Sequence, residues 1–210
     1  MSDILKQLKW RYATKKFDST RKLEAKKLDT LKHAFNLTAT SYGLQPLKLI
    51  VISEQETKES LVSHTMNQEQ VRDASHVLVL CVEEKIDSSY IRSYFKKVQE
   101  VRDTPSEILH PFESFLVESF SEKPSEEIKI WMEKQAYLAL GNLLTVCAME
   151  EIDACPIEGF EPKKYDAFLE LEKEGLRSVL VMAVGYRAED DMFASLKKVR
   201  RGVDSVVIER

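Results

Sequence analysis

"QAYLALGNLLTVCAM", Gln135 to Met149, decides how the rest of the chain must be arranged. It closes a helical pattern that runs from Ser125 to Glu150. The pattern opens with "PSEE", where Ser125 is placed to cap the helix and Glu126 and Glu127 suit its positive end. From Ala136 onward the helix is apolar nearly all round. The stretch is interrupted by Gly141 and Asn142 and falls short of the ~18 residues that suggest a membrane span. Such a helix belongs in the middle of something, either the chain's own core or an interface between subunits, and a monomer of 210 residues rarely needs one.

Working outward, "LKLIVIS" (47–53), "HVLVLCVEE" (76–84) and "SVLVMAVGY" (178–186) are β-branched apolar runs of strand length, predicted to be buried on both faces. Ile4, Leu5 and Leu8 mark a first helix, and Leu23, Leu28, Leu31 and Phe35 a second. Further helical patterns cover about 87–103 and the region around 111–120. "NLTATSYGLQP" is a loop, and "GVDSVVIER" predicts a terminal strand over about 203–209 that must pair with a sheet edge. With no repeats and no Pro-, Gly- or Ser-rich linker, the chain reads as one α+β domain, 1–210: a small central sheet with many helices around it.

Composition narrows the function. With 35 acidic against 31 basic residues the net charge is -4, which argues against nucleic acid as a partner. Cys81, Cys147 and Cys155 lie in or beside apolar runs without metal-ligand spacing, and read as reduced core thiols of a cytoplasmic protein. The segment "MSDILKQLKW" offers no apolar export signal. Six glycines form neither a dinucleotide cradle nor a P-loop; no G-x-S-x-G elbow occurs. The four histidines are scattered, and no metal site is predicted.

Two basic knots remain. "RYATKKFD" (11–18) carries three positive charges and "LKKVRR" (196–201) four, at opposite ends of an acidic chain. Either alone is accounted for by solvated surface; both are candidate anion sites.

Six segments in order, "RYATKKFD", "SYGLQPLKLIV", "DASHVLVLC", "WMEKQAYLALGNLLTVCA", "CPIEGF" and "FASLKKVRR", together resemble the FMN-dependent nitroreductase family, in its oxygen-insensitive, dihydropteridine-reductase-like branch. The resemblance implies the nitroreductase-like fold with a mixed sheet, and an intertwined homodimer with a flavin site at each subunit junction. The terminal strand would then pair with the partner subunit. It implies that Arg11, Lys198 and Arg200 clamp the FMN phosphate, a dianion suited to converging charge-assisted bonds. Tyr12 and Ala13 fall in the same motif. Lys15 would reach the N1/O2 edge of the isoalloxazine, where a fixed cation favours reduction. Asn67 would hydrogen-bond the pyrimidine end of the ring, and Gln70 would lie beside the ring. Thr40 and Gly43 would come from the partner, and Pro156, Ile157, Glu158 and Gly159 would line N5.

Where the family motif carries Ser, Asn and a second Lys, this chain has Ala13, Gly43 and Gln70. The implied reaction is a ping-pong transfer of hydride from NADH or NADPH through flavin N5 to nitroaromatic, quinone or pterin-like acceptors, with no side chain acting as catalyst. Reduction of enones, free flavin or halogenated phenols is an alternative within the family. A dimer that binds or senses flavin without turnover is an alternative outside it.

Overall fold

The computed structural model describes residues 3–210; Met1 and Ser2, the start of the predicted domain, lie outside the described residues. In chain order the elements are α1 (Asp3–Trp10), α2 (Ala25–Asn36), β1 (Leu47–Ile52), α3 (Gln55–Val62), α4 (Gln70–Asp73) and β2 (His76–Glu83). There follow α5 (Ser88–Arg102), α6 (Ser106–Glu122), α7 (Ser125–Met149), β3 (Asp153–Ile157), α8 (Pro162–Phe168), β4 (Leu176–Gly185) and α9 (Val203–Val206).

The strands form one sheet in the order β1-β2-β4-β3, with every ladder antiparallel. The mixed sheet expected from the resemblance is therefore not seen within the chain's ladders; the parallel pairing recorded is the isolated bridge between Ala13 and Ala154. Period-two alternation along β2 divides its side chains between two cores. Leu78, Leu80 and Val82 join Leu180, Met182 and Val184 beneath Met132, Ala136, Ala139, Leu143 and Cys147 of α7. Val77, Val79 and Cys81 join Val181, Ala183 and Ile157 against Leu61 of α3, Val71 of α4 and Tyr165 of α8. Each fully buried aliphatic side chain contributes on the order of 1.5–3 kcal/mol, so these two layers carry most of the hydrophobic stabilisation.

Two-sided burial holds for β2 and largely for β4, but β1 is an edge strand and only half-buried. On α7 the spacing of Met132, Ala136, Ala139, Leu143 and Cys147 puts one stripe in the core, whereas Tyr137, Leu138 and Met149 on other faces are exposed. Ser125 does not cap α7: Pro124 stands at the N-cap position and makes no side-chain cap, so Ser125 is already inside the first turn. Residues 203–206 form a single helical turn after Gly202, where a strand is predicted over 203–209. A turn closes its own hydrogen bonds, including Val207 N–H to the Val203 carbonyl, while a strand at that place needs a neighbouring edge.

Buried polar groups fix the loops that surround the sheet. The Gln135 amide oxygen accepts from Ser41 N–H at 2.9 Å and its amide nitrogen donates to the Trp131 carbonyl at 2.9 Å, tying the 40–43 loop to α7. Lys58, wholly buried, donates to the carbonyls of Arg72 (3.1 Å) and Ala74 (2.5 Å) and so satisfies the end of α4. Gly43 has φ +74°, and a Cβ there would come within 2.4 Å of the Tyr94 hydroxyl oxygen. Gly43→Ala should therefore destabilise the fold by about 1–3 kcal/mol, through left-handed strain and displacement of Tyr94. Urea midpoints check this, and a variant as stable as the parent chain would show that the loop relaxes freely.

Candidate functional site

α1 ends at Trp10, and the chain then runs extended past β3: Ala13 bridges Ala154, and Thr14 N–H donates to the Ala154 carbonyl at 3.2 Å. Alternation turns Ala13 and Lys15 towards one side, and Thr14 is fully buried on the other. At the far end of the sequence β4 delivers Tyr186 and Arg187 beside the same strip. Ala188 N–H donates to the Lys16 carbonyl at 2.9 Å, and Asp18 N–H to the Tyr186 carbonyl at 2.8 Å. The two termini are thus stitched together by backbone bonds next to β3.

Between them lies a cleft of about 370 Å³. Its described lining includes the cations Lys9, Arg11, Lys15, Lys197, Lys198 and Arg200, and no carboxylate. The Lys198 ammonium donates to the Arg11 carbonyl. Burial, and then the neighbouring charge of Arg200, lower the Arg11 pKa from its ordinary value; burial followed by Arg11 and Arg200 lowers that of Lys198. These like charges are held close enough to oppose one another, an arrangement that favours an anion of more than one charge.

The walls are held by ionic and aromatic contacts. Arg187 pairs with Asp153 of β3 (Nε to Oδ1 2.7 Å; backbone N to Oδ2 2.8 Å), and its guanidinium stacks over the rings of Trp10 (4.4 Å) and Tyr12 (4.6 Å). Asp191 is buried, and its carboxylate accepts from Tyr12 Oη (2.8 Å) and the backbone amides of Lys15 (2.9 Å), Lys16 (3.1 Å) and Phe193 (3.0 Å). Burial works to raise the Asp191 pKa, but these bonds outweigh it and leave the group below the ordinary carboxylate range.

Of the residues singled out by the sequence, Arg11, Tyr12, Ala13, Lys15, Lys198 and Arg200 all line this one cleft. The hydroxyl of Tyr12 is engaged by Asp191, so its part there is mainly structural. Pro156 and Ile157 end β3, and Glu158 and Gly159 follow it. The Gly159 carbonyl accepts from Gln68 Nε2 at 2.9 Å, which brings the 66–70 loop, with Asn67 at φ +57°, beside this segment. Gln70 opens α4. Glu158 accepts from the hydroxyl of Tyr137, whose ring is exposed on α7. Cys155 is buried, and burial raises its thiol pKa, consistent with a filler and not a reactive thiol.

Thr40 and Gly43 stand apart from the cleft within this chain. Thr40 lines a separate recess with Asn36, Gln45 and Lys48, and Gly43 abuts Tyr94 of α5. Asp153, Arg187, Asp191 and Gln68 are the functional supports that sequence reasoning missed. Asp191 left one trace, an acid ahead of the short "MFAS" turn that its side chain caps through Phe193 N–H.

Comparison with known proteins places this architecture. The family model described as the nitroreductase family matches residues 8–186. The oxygen-insensitive NAD(P)H nitroreductase of Salmonella typhimurium is 31% identical over 99% of both chains. The major NAD(P)H-flavin oxidoreductase of Aliivibrio fischeri is 32% identical over 97% of both. A protein of Exiguobacterium sibiricum, solved in complex with FMN, superposes with a TM-score of 0.85 at 20% identity, covering 100% of this chain and 98% of its own. With a match over most of its length and a cationic cleft closed by both of its ends, the chain belongs to the nitroreductase family.

Proposed function

We propose that this protein is an FMN-dependent oxidoreductase that uses NADH or NADPH to reduce nitroaromatic, quinone or pterin-like acceptors. The observation that carries the reading is the cleft itself: six cations from the two chain ends, with no carboxylate among its described lining residues. That donor set fits a phosphate monoester, whose terminal oxygens accept from a planar guanidinium fork and from point-like ammonium groups. The names of the full-length relatives, an NAD(P)H nitroreductase and an NAD(P)H-flavin oxidoreductase, support the same chemistry.

Bound FMN would supply two-electron chemistry at N5, taking hydride from the nicotinamide and giving it up to the acceptor in a ping-pong cycle. The protein's own work is binding, orientation and electrostatics. Arg11, Lys198 and Arg200 hold the phosphate. Ala13 contributes no hydroxyl there, a loss on the order of 1 kcal/mol relative to a serine. Lys15 sits on the same strip as Ala13, close enough to Cys155 for its charge to work against the burial that raises that thiol's pKa, and would raise the electron affinity of a bound flavin ring. Asn67 would hold the pyrimidine end with Gln70 beside the ring, and the backbone of 156–159 would orient the N5 edge.

The working unit is a homodimer in the cytoplasm. Exposed apolar side chains on α7 (Tyr137, Leu138, Met149) and on the C-terminal segment (Val199, Val203, Ile208) suit burial against a second copy. Thr40 and Gly43, apart from the cleft within one chain, would then enter the partner's site, and residues 203–209 would pack on the partner. No helix among the described residues is long and apolar enough to cross a membrane.

The purified protein should be yellow, and NADH or NADPH should bleach it under anaerobic conditions. A yellow protein that neither nicotinamide reduces would favour a flavin-binding sensor. Because Gln70 is neutral where the family motif has a lysine, Gln70→Lys should raise the flavin midpoint potential by about 20 mV, corresponding to ~1 kcal/mol for a two-electron couple. An unchanged or lowered potential in a redox titration would count against Gln70 facing the ring.

A further inference from the structure

Residues 192–200, which bring Lys198 and Arg200 to the cleft, are exposed throughout, so apolar packing does not hold them there. The ion pair just ahead of the segment and the bond from Lys198 within it are both weak. The Lys16–Asp190 ion pair is solvent-exposed on both sides, and the Lys198 bond to the Arg11 carbonyl is exposed as well. Mutual repulsion among Arg11, Lys198 and Arg200 works to push the segment away.

Asp191 is the contrasting contact. It is 5% exposed, and one carboxylate gathers Tyr12, Lys15 and Lys16 from the N-terminal motif with Phe193 from the C-terminal segment. It is not among the residues lining the cleft, so it holds the walls while its own oxygens are taken up by Tyr12 and by backbone amides and not by the cationic side chains. We propose that Asp191 is the positioning residue of the phosphate clamp, the clasp that keeps the cations of the two chain ends converged on one point. It touches no ligand and acts through Lys15, Tyr12 and the turn at Phe193.

The inference rests on the cofactor reading above and is tested by selectivity rather than turnover. Riboflavin is FMN without the phosphate, so comparing the two ligands isolates the clamp. With apo-protein and fluorescence-quenching titrations, Asp191→Asn should weaken FMN binding by at least about tenfold and riboflavin binding by no more than about threefold. The amide keeps the shape but loses the charge and one acceptor oxygen. Tyr12→Phe removes one of the four bonds and should lower the FMN-to-riboflavin preference by about two- to fivefold. It carries the test if the Asn variant does not fold. Equal losses for both ligands, or a preference unchanged in both variants, would overturn the clasp and leave Asp191 an ordinary structural contact. A parent protein with no preference for FMN over riboflavin would instead overturn the cofactor reading, and the clasp with it.

Discussion

Bringing several cations to one point is the constraint on which the rest depends. Burial and then the charge of Arg200 lower the proton affinity of Arg11, and burial followed by the charges of Arg11 and Arg200 lowers that of Lys198, so like charges are held close together here. A grouping of cations of this kind is by itself electrostatically unfavourable, and other interactions hold the walls that carry it. Those interactions are specific: Asp191 gathers four donors, Arg187 is locked to Asp153 and to two aromatic rings, and backbone bonds join residues 14–18 to β3 and to the end of β4.

Scaffold and site are coupled through β3. Its position at one edge of the sheet is set by the ladder to β4, and the sheet is set by the two cores on either side of β2. Ala154 bridges to Ala13, Asp153 holds Arg187, and the chain leaving Ile157 carries Glu158 and Gly159 to the 66–70 loop. One short strand therefore neighbours both the N-terminal strip of the cleft, through Ala154, and the loop carrying Asn67, through the chain that leaves it at Gly159. Lys58 and Gln135 act at a greater distance, satisfying the carbonyl end of α4 and the loop at Ser41.

Much of this was legible in the sequence because it follows from periodicity. The alternation of β2, the long helix through Ala136, and the helices over 88–102 and 106–122 all report a hydrophobic face, and burial there is decided locally. What escaped depends on contacts distant in sequence. Ser125 had the composition of a cap, but Pro124 took the extended cap conformation and moved Ser125 into the helix. β1 has the same apolar run as β2 and became an edge strand because sheet order is not encoded in a strand's own residues. The β-branched valines of 203–207 have strand-like composition and form a turn within the chain. Arg11 and Arg200 were recognisable as types suited to phosphate, yet their convergence relies on Asp191, whose partners lie about 175 residues away.

A crystal structure of the FMN complex tests the shared clamp most directly. Phosphate oxygens within about 2.7–3.2 Å of Arg11 and of Lys198 or Arg200 from the same chain are expected. A phosphate held elsewhere, or contacted by only one end of the chain, would contradict it.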